Sequence, residues 1–387
     1  MRRRVLLTAV CCLVTMCSCG EQADRPESSS TDEAADSGSL TVTGEMELDY
    51  AEMFTVEHCE GGYELIHIGE DSFLLVPEGA DIPGGAEEYT VIHQPAERIY
   101  LAASSAMDMF SGLGELDKVR LTSTQRSDWA VPEVCDAIDS GELLYCGKYS
   151  APDYELVTAE DIDIAIESTM IYHSPEAKEK LESLGVPVLV ERSSYESHPL
   201  GRLEWIKLYG LLIGQEEKAE RYFKEKEQIF DSIGEVEIPE SERKTAVFFY
   251  VSPNGYVNIR KPGDYISKMI ELAGGRYIFT ADMLDVEENA LSTMNIQLET
   301  FYEYAKDADV LIYNSTIEGE LESLEQFLEK SPVFADMKAV KEGSVWCSGQ
   351  NMFQQTTCAA EMMQDLNSIF TGAADGKDEL TYLHRLR

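Results

Sequence analysis

Hydrophobic and polar positions alternate in short blocks along most of the chain, and two of these blocks repeat each other. The segment Asp161-Ile-Asp-Ile-Ala-Ile-Glu-Ser-Thr169 returns as Asp307-Ala-Asp-Val-Leu-Ile-Tyr-Asn-Ser-Thr316. A short, β-branched apolar run is typical of a strand buried on both faces of a parallel sheet. The polar residues after each run fall where the carboxyl ends of such strands meet a ligand-binding crevice. The repeat predicts an α/β protein with two Rossmann-like lobes, each directing a Ser-Thr loop toward a cleft between them.

Strand and helix patterns alternate on either side of the repeat. An early hairpin is predicted over residues 54–77, with turns at Gly61-Gly62 and at Gly69. Further strands are predicted at 98–103, 119–122, 162–166, 186–190, 245–250 and 343–347, and helices at 106–113, 154–160, 174–184, 265–272 and 321–330. Such alternation with short connections implies parallel sheets.

One long amphipathic helix separates the two predicted lobes. Residues 203–212 keep a helical period that Gly214 ends, and residues 215–233 form a second helix with one apolar stripe. At 1.5 Å per residue this second helix spans roughly 27 Å, enough to join two lobes. The predicted division is a first lobe at 53–214, a bridging helix at 215–235, a second lobe at 236–350, a C-terminal helix at 351–372 that packs back on the first lobe, and a tail at 373–387.

The N-terminus has the pattern of an export signal. Three arginines precede an apolar stretch at 5–16, which is shorter than the roughly 20 residues of a membrane-spanning helix. Ser18-Cys19 followed by glycine resembles the cleavage site of a bacterial lipoprotein signal, in which the cysteine becomes the lipidated first residue. Residues 1–19 are therefore predicted to be a lipoprotein signal, with Cys19 as the lipid attachment site. Cys17 as the acceptor, or an ordinary cleaved signal, stay open as alternatives.

The composition limits the partners of the protein. Residues 20–52, rich in Ser, Asp and Glu, are predicted to form an acidic disordered tether. The net charge of −41 argues against nucleic acid and against anionic lipid surfaces, so attachment to the membrane is expected through the N-terminal lipid alone. The five cysteines after Cys19 have no CxxC spacing, which argues against a zinc site or a full disulfide framework. Cys135 and Cys146 could pair, although free thiols are expected.

Several segments together resemble a known family. They are Arg98-Ile-Tyr-Leu-Ala-Ala-Ser-Ser, Tyr154-Glu155 through Asp163-Ile-Ala-Ile, Leu184-Gly-Val-Pro-Val, Leu212-Ile-Gly with Glu217-Lys-Ala-Glu, and Ala308-Asp-Val-Leu-Ile. They resemble the substrate-binding proteins of bacterial ABC importers for ferric siderophores, haem and cobalamin, over about residues 89–370. The early hairpin and residues 197–205 are not general features of that family and suggest a subgroup.

The resemblance implies a function in binding and delivery, with no catalysed reaction. Two α/β lobes joined by one long helix would capture a small-molecule metal chelate, either an iron chelate or a related macrocycle. The protein would be a monomer with no intrinsic cofactor, held at the extracytoplasmic face of the cytoplasmic membrane, and would deliver its cargo to the ABC permease. In that family one glutamate of each lobe contacts the permease, and these positions match Glu155 and, with a different spacing, Glu299; Glu303 is a competitor for the second position.

Cargo contacts are expected from loop residues that follow strands. Aromatic faces suit a flat or bulky chelate, while Arg and Lys suit carboxylates or an anionic ferric complex. The candidates are Ser104, Ser105, Met107, Arg126, Trp129, Lys148, Tyr149, Met170, Tyr172, Tyr195, Tyr250, Tyr256, Arg260, Lys261, Trp346, Asn351 and Phe353.

The residues also leave two other functional interpretations open. A zinc or manganese receptor calls for three or four convergent His and carboxylate ligands, whereas the histidines are widely spread; His173 and His198 both fall in first-lobe loops and could approach each other. One of them could also ligate haem iron. A secreted hydrolase is less well supported, because Ser104-Ser105 follows a strand but the chain has no G-x-S-x-G motif. Phosphate-binding glycine motifs are also absent from the sequence.

Overall fold

The computed structural model describes residues 40–234, 238–287 and 292–387, so the predicted lipoprotein signal, Cys19 and most of the predicted tether lie outside it. A five-stranded sheet comes first along the chain. Its strands are β1 (Val42–Glu45), β2 (Thr55–Cys59), β3 (Glu64–Ile68), β4 (Asp71–Val76) and β5 (Thr90–His93). They pair in sequence order, antiparallel except for β4 with β5, and the predicted hairpin is therefore part of a larger sheet.

The folded part begins earlier than the sequence predicts. The predicted tether runs to Glu52, whereas β1 lies within it and pairs with β2. Residues 49–53 then donate backbone hydrogen bonds to the buried carboxylates of Glu196 and Glu204. Composition cannot reveal this arrangement, because the order comes from the main chain and its long-range partners rather than from apolar side chains.

The first lobe is an all-parallel sheet with helices on its faces. Its five strands lie in the order β12-β11-β6-β7-β8, which confirms the predicted α/β class. The elements are β6 (Ile99–Leu101), α1 (Met107–Gly112), β7 (Val119–Thr122), α2 (Pro132–Ser140), β8 (Leu144–Tyr145), β9 (Gly147–Lys148), β10 (Ala151–Pro152), α3 (Tyr154–Ala159), β11 (Ile164–Ser168), α4 (Pro175–Ser183), β12 (Val188–Glu191) and α5 (Pro199–Leu212).

The bridging helix α6 (Glu216–Gly234) lies within the predicted 215–235. Its apolar stripe buries Ala219 and Phe223 among other residues, and it packs closely on α5. Gly210 of α5 makes this approach possible, because a Cβ at that position would lie 2.4 Å from the Ala219 Cβ. The short connection between α5 and α6 contains Gly214, whose φ of 69° favours glycine.

The second lobe has a seven-stranded mixed sheet in the order β16-β14-β13-β17-β18-β19, with β15 also pairing with β13. Its core pairs, β13 with β17 and β17 with β18, are parallel. The elements are β13 (Thr245–Val251), β14 (Val257–Arg260), α7 (Tyr265–Leu272), β15 (Arg276–Tyr277), α8 (Ala281–Leu284), β16 (Thr293–Ile296), α9 (Leu298–Ala305), β17 (Val310–Tyr313), α10 (Ser315–Glu318), α11 (Leu324–Lys330), α12 (Lys338–Lys341), β18 (Val345–Ser348), α13 (Ala359–Thr371) and β19 (Leu383–Arg385).

The C-terminal region differs from its prediction in two ways. The sequence predicts a helix at 351–372 on the first lobe, whereas α13 starts at Ala359 and packs mainly on α6, with further contacts to α7 and α5. The predicted tail at 373–387 contains β19, which pairs antiparallel with β18 and so belongs to the second lobe. A three-residue strand is too short for its pattern to be read from the sequence.

No helix within the described ranges is both long enough and apolar enough to span a membrane. Cys59, Cys135, Cys146, Cys347 and Cys358 are free thiols, so Cys135 and Cys146 do not pair.

Candidate functional site

A cavity of about 620 Å³ opens between the lobes. It forms where loops leave the carboxyl ends of β6, β12, β13, β17 and β18, as expected for parallel sheets. Its first-lobe lining is Ser104, Ser105, Ser194, Tyr195 and Arg202, and its second-lobe lining is Tyr250, Asn258, Arg260, Asp264, Tyr265, Ser292, Thr293, Asn314, Thr316, Ile317, Gln350, Phe353 and Gln354. We call this cavity the cleft.

The structure brings together part of the predicted set. The candidates that line the cleft are Ser104, Ser105, Tyr195, Tyr250, Arg260 and Phe353. Trp129 borders an adjoining cavity of about 260 Å³ that shares Thr316, Ile317, Gln350 and Gln354 with the cleft. Its indole donates to the Thr124 carbonyl at 3.2 Å, which holds the ring beside the cleft.

Two candidates lie in the hydrophobic core instead. Met107 and Trp346 are both fully buried and do not line the cleft. Trp346 belongs to β18, a strand buried on both faces, so its ring packs inside the second lobe with the Arg385 guanidinium 4.5 Å above it. Strand position alone cannot tell a core aromatic residue from a cleft residue.

The remaining candidates do not line the cleft. Arg126 makes an ion pair with Asp139 at 3.0 Å on the first-lobe surface, and Asn351 lines a separate surface pocket. Those that do not line the cleft are Arg126, Lys148, Tyr149, Met170, Tyr172, Tyr256, Lys261 and Asn351, and of these Met170, Tyr172 and Tyr256 are well exposed.

Arg202 is one of several cleft-lining residues that the sequence did not predict. It lies in α5, a helix buried along its whole length, and its side chain is 7% exposed. Its guanidinium carbon lies 4.0 Å from the centre of the Tyr265 ring, across the interface between the lobes. The Arg202 Nε atom is buried and has no hydrogen-bond partner among the described residues. A charged residue at a buried helical position was the available signal, since such groups are rarely left in a core without a partner.

A second arginine lines the cleft from the other lobe. Arg260 ends β14, and its guanidinium lies 5.0 Å from the Phe353 ring centre and 6.0 Å from that of Tyr265. Asp264 partly compensates its charge at 3.5 Å. The Asp264 carboxylate also accepts from the Ile266 amide at 3.0 Å, which caps the start of α7.

The electrostatics of the cleft favour negative charge. Among its described lining residues the charged groups are Arg202, Arg260 and Asp264, which leaves a positive excess in a strongly acidic chain. Burial raises the pKa of Asp264, although Arg260 opposes the shift. Burial likewise raises the pKa of Glu191, the buried carboxyl near Arg202. Both shifts reflect the cost of burying a carboxylate, which the neighbouring arginines offset in part.

The loop after β18 joins the lobes at the base of the cleft. The Gln354 side chain donates to the Asp128 carbonyl at 2.7 Å and accepts from the Ala130 amide at 2.8 Å. Thr356 donates to the Ser105 carbonyl at 2.8 Å. These bonds connect second-lobe loop residues directly to the first lobe and restrict the relative movement of the two.

The two histidines considered as ligands do not form a site. His198 accepts from the Leu200 amide at 3.2 Å and stacks on Tyr50, and neither His198 nor His173 lines the cleft. Within the described ranges, no group of three or more His, Cys, Asp or Glu side chains is arranged to hold a metal ion.

Two α/β lobes, one bridging helix and an interlobe cleft define a solute-binding protein. The sequence model of the periplasmic binding protein family matches residues 102–350, and the chain belongs to that family. The predicted family is thereby confirmed, and it is a family of binding proteins rather than enzymes. The five-stranded sheet β1–β5 precedes the matched region.

Relatives and solved structures agree with this assignment. Two uncharacterized lipoproteins of Methanocaldococcus jannaschii are 26% and 27% identical to this chain, over 77% and 87% of it and 72% and 86% of their own lengths. A periplasmic haem-binding protein, HutB of Vibrio cholerae, has a TM-score of 0.56 at 17% identity and covers 70% of this chain and 98% of its own. The catecholate-siderophore-binding protein VctP of the same organism has a TM-score of 0.55 at 14% identity and covers 70% and 93%. These structures share the two-lobed fold.

Proposed function

We propose that this protein is the extracytoplasmic receptor of an ABC importer, which captures an anionic metal chelate between its lobes and delivers it to a permease. The observation that carries the proposal is the meeting of Arg202 and Arg260, one from each lobe, in the cleft of a chain with a net charge of −41. Lipid attachment at Cys19 is part of the proposal, and the lipoproteins among the relatives support it.

The chemistry of the cleft favours an anion over a neutral solute. An arginine that is desolvated without a partner is costly, and charge-assisted bonds to carboxylate, catecholate or hydroxamate oxygens would remove that cost. Tyr195, Tyr250 and Phe353 add aromatic faces that suit a bulky chelate. Structures of the same fold that bind haem and a catecholate siderophore support an iron chelate as the cargo.

A bare zinc or manganese ion fits the cleft less well. The described lining residues include one carboxylate, Asp264, and neither histidine nor cysteine. Three or four such ligands would be needed for a metal receptor. A cleft of this kind recognises the metal through its chelator.

Glu155 and Glu299 are the proposed contacts to the permease. Each is exposed and is the second residue of the helix that precedes a repeated strand, Glu155 in α3 and Glu299 in α9. Their spacing to the following strand differs because α9 is two residues longer than α3. This match favours Glu299 over Glu303 as the second-lobe contact. Exposed carboxylates on both lobes would fix the orientation of the receptor on a basic partner and steer their association.

The cargo is tested by quenching of tryptophan fluorescence, with Trp129 beside the cleft as the main reporter. The probes are a ferric tricatecholate, a ferric trihydroxamate, haemin and cobalamin. We expect tight binding of an anionic probe, with a loss of at least roughly tenfold in affinity for Arg202→Ala and for Arg260→Ala. Arg221→Ala on the exposed face of α6 is the matched control and should bind normally. Unchanged affinity in both cleft variants would refute the proposal.

Docking is tested by charge reversal. Glu155→Lys and Glu299→Lys should abolish uptake of the labelled chelate in cells that depend on this receptor, with cargo affinity unchanged. Glu303→Lys serves as the matched control, since it makes the same change one helical turn further along α9. Normal uptake by the first two variants would remove these glutamates from the permease interface.

A further inference from the structure

Residues 49–53, which we call the strap, connect β1 to β2 and are held by two buried glutamates. The amides of Asp49, Tyr50 and Ala51 donate to the Glu204 carboxylate at 3.0, 2.8 and 2.8 Å. The next two amides, those of residues 52 and 53, donate to the Glu196 carboxylate at 2.9 and 3.0 Å. Five successive N–H groups are thus bound by carboxylates that lie fully within the fold.

The start of α5 is shaped to receive the strap. A Cβ at Gly201 would lie 2.8 Å from the Tyr50 carbonyl oxygen, so only glycine permits the close approach. The Trp205 indole donates to Glu196 at 2.9 Å, and Lys207 donates to Glu204 at 3.0 Å. These residues account for the segment 197–205, which the family resemblance left unexplained.

The same stretch of chain also lines the cleft. Ser194 and Tyr195 immediately precede Glu196, and Arg202 lies between Gly201 and Glu204 in the same helix. One side of this stretch therefore binds the strap while the other side presents a guanidinium to the cleft. The five-stranded sheet β1–β5 also approaches the loop that precedes this stretch, because the Arg192 guanidinium packs against Gly69 in the β3–β4 turn.

We propose that the strap, through Glu196 and Glu204, positions Arg202 and the loop at 193–195 for cargo binding. Glu196 and Glu204 are then positioning residues, and the strap, which precedes the family match, is part of the binding machinery. The physical reason is that a buried carboxylate without its donors is strongly unfavourable, so detaching the strap forces the start of α5 to rearrange. This inference rests on the proposed function, because it assumes that Arg202 contacts the cargo.

The test is a double-mutant cycle in the full chain, with a ferric tricatecholate as the probe and tryptophan quenching as the readout. Gly201→Ala displaces the strap by a steric clash yet keeps both carboxylates and favours the helix. Glu196→Ala removes the carboxylate itself, and Glu196→Gln, which keeps one acceptor oxygen, should rescue part of the loss. We expect Gly201→Ala and Glu196→Ala to weaken binding roughly five- to tenfold, and we expect most of this effect to be lost when Arg202 is already alanine.

Controls separate positioning from a general loss of stability. Leu74→Ala in β4 destabilises the same sheet without touching the strap, and it should leave the affinity unchanged. Unchanged affinity in both strap variants, or a loss that persists in full with Arg202→Ala, would overturn the positioning role. If Arg202→Ala alone leaves the affinity unchanged, the proposed function fails instead, and the two failures are thereby distinguished.

Discussion

The two copies of the repeated segment begin alike and end differently. In each, an aspartate just before the strand accepts hydrogen bonds from the start of the neighbouring strand. Asp163 accepts from the amides of Glu97 and Arg98, both at 2.8 Å, and Asp309 accepts from the Thr245 amide at 2.7 Å. Each aspartate therefore helps to set the register of a parallel pair, β11 with β6 and β17 with β13.

The carboxyl ends of the two strands have diverged. Glu167 in β11 and Tyr313 in β17 occupy corresponding positions, and both are fully buried with polar atoms that have no partner among the described residues. The next residue, Ser168 in the first copy and Asn314 in the second, accepts from the amide two positions later. Asn314 lines the cleft, whereas Ser168 does not. The repeat thus preserves the scaffold of the lobes, and the proposed cargo site lies where the copies differ.

Replacing Glu167 by glutamine should have the largest effect, and the effect should depend on pH. Burial raises the pKa of Glu167 from 4.5 to about 8, so the folded protein retains a proton that the unfolded chain releases. The wild type therefore loses stability as the pH rises from about 4.5 to about 8, by up to roughly 5 kcal/mol in total. Glu167→Gln cannot ionise, and urea unfolding at pH 5, 7 and 9 should show its advantage growing across that range.

Tyr313→Phe is the matched control in the other lobe. It also removes an unpartnered buried polar group, and burial raises the pKa of Tyr313 further above its ordinary value of 10. Its effect on stability should therefore be the same at all three pH values. A difference between Glu167→Gln and wild type that stays constant with pH would show that this carboxyl does not titrate in the folded protein.

Removing the shared aspartates should cost less. Asp309→Ala leaves the Thr245 amide and hydroxyl without their acceptor and also breaks the contact to Lys338, so we expect a loss of about 2–3 kcal/mol. Asp163→Ala removes an exposed acceptor of two amides that water can replace, and about 1 kcal/mol is expected. Urea unfolding measures both values. A larger loss for Asp163→Ala would contradict the ranking.

The fold was largely predictable because its central strands are buried on both faces. The predicted strand at 119–122 matches β7, the predicted strand at 162–166 overlaps β11 with a displacement of two residues, and the long amphipathic stripe predicts α6. The strands that the sequence did not reveal, such as β1 and β19, are short edge strands that pair through their main chain. Apolar periodicity carries little information about such strands.

The site was predictable only where it follows strand ends. Ser104, Tyr195 and Tyr250 line the cleft, as expected from the polar ends of parallel strands. Arg202 was not predictable in that way, because it comes from a helix and reaches the cleft by packing across the interface on Tyr265. Long-range packing of this kind leaves no local pattern in the sequence.

The smallest effect expected is on cargo affinity, and it compares Asn314 directly with Ser168. Asn314 lines the cleft and its side chain also holds the Thr316 hydroxyl at 2.7 Å, so Asn314→Ala should weaken binding of a ferric tricatecholate roughly threefold, or about 0.7 kcal/mol. Ser168→Ala removes the corresponding bond to an amide, outside the cleft, and should leave binding unchanged. Tryptophan quenching measures both affinities. Equal losses in the two variants would mean that both copies of the repeat contact cargo, and that the lobes are functionally more alike than their cleft linings indicate.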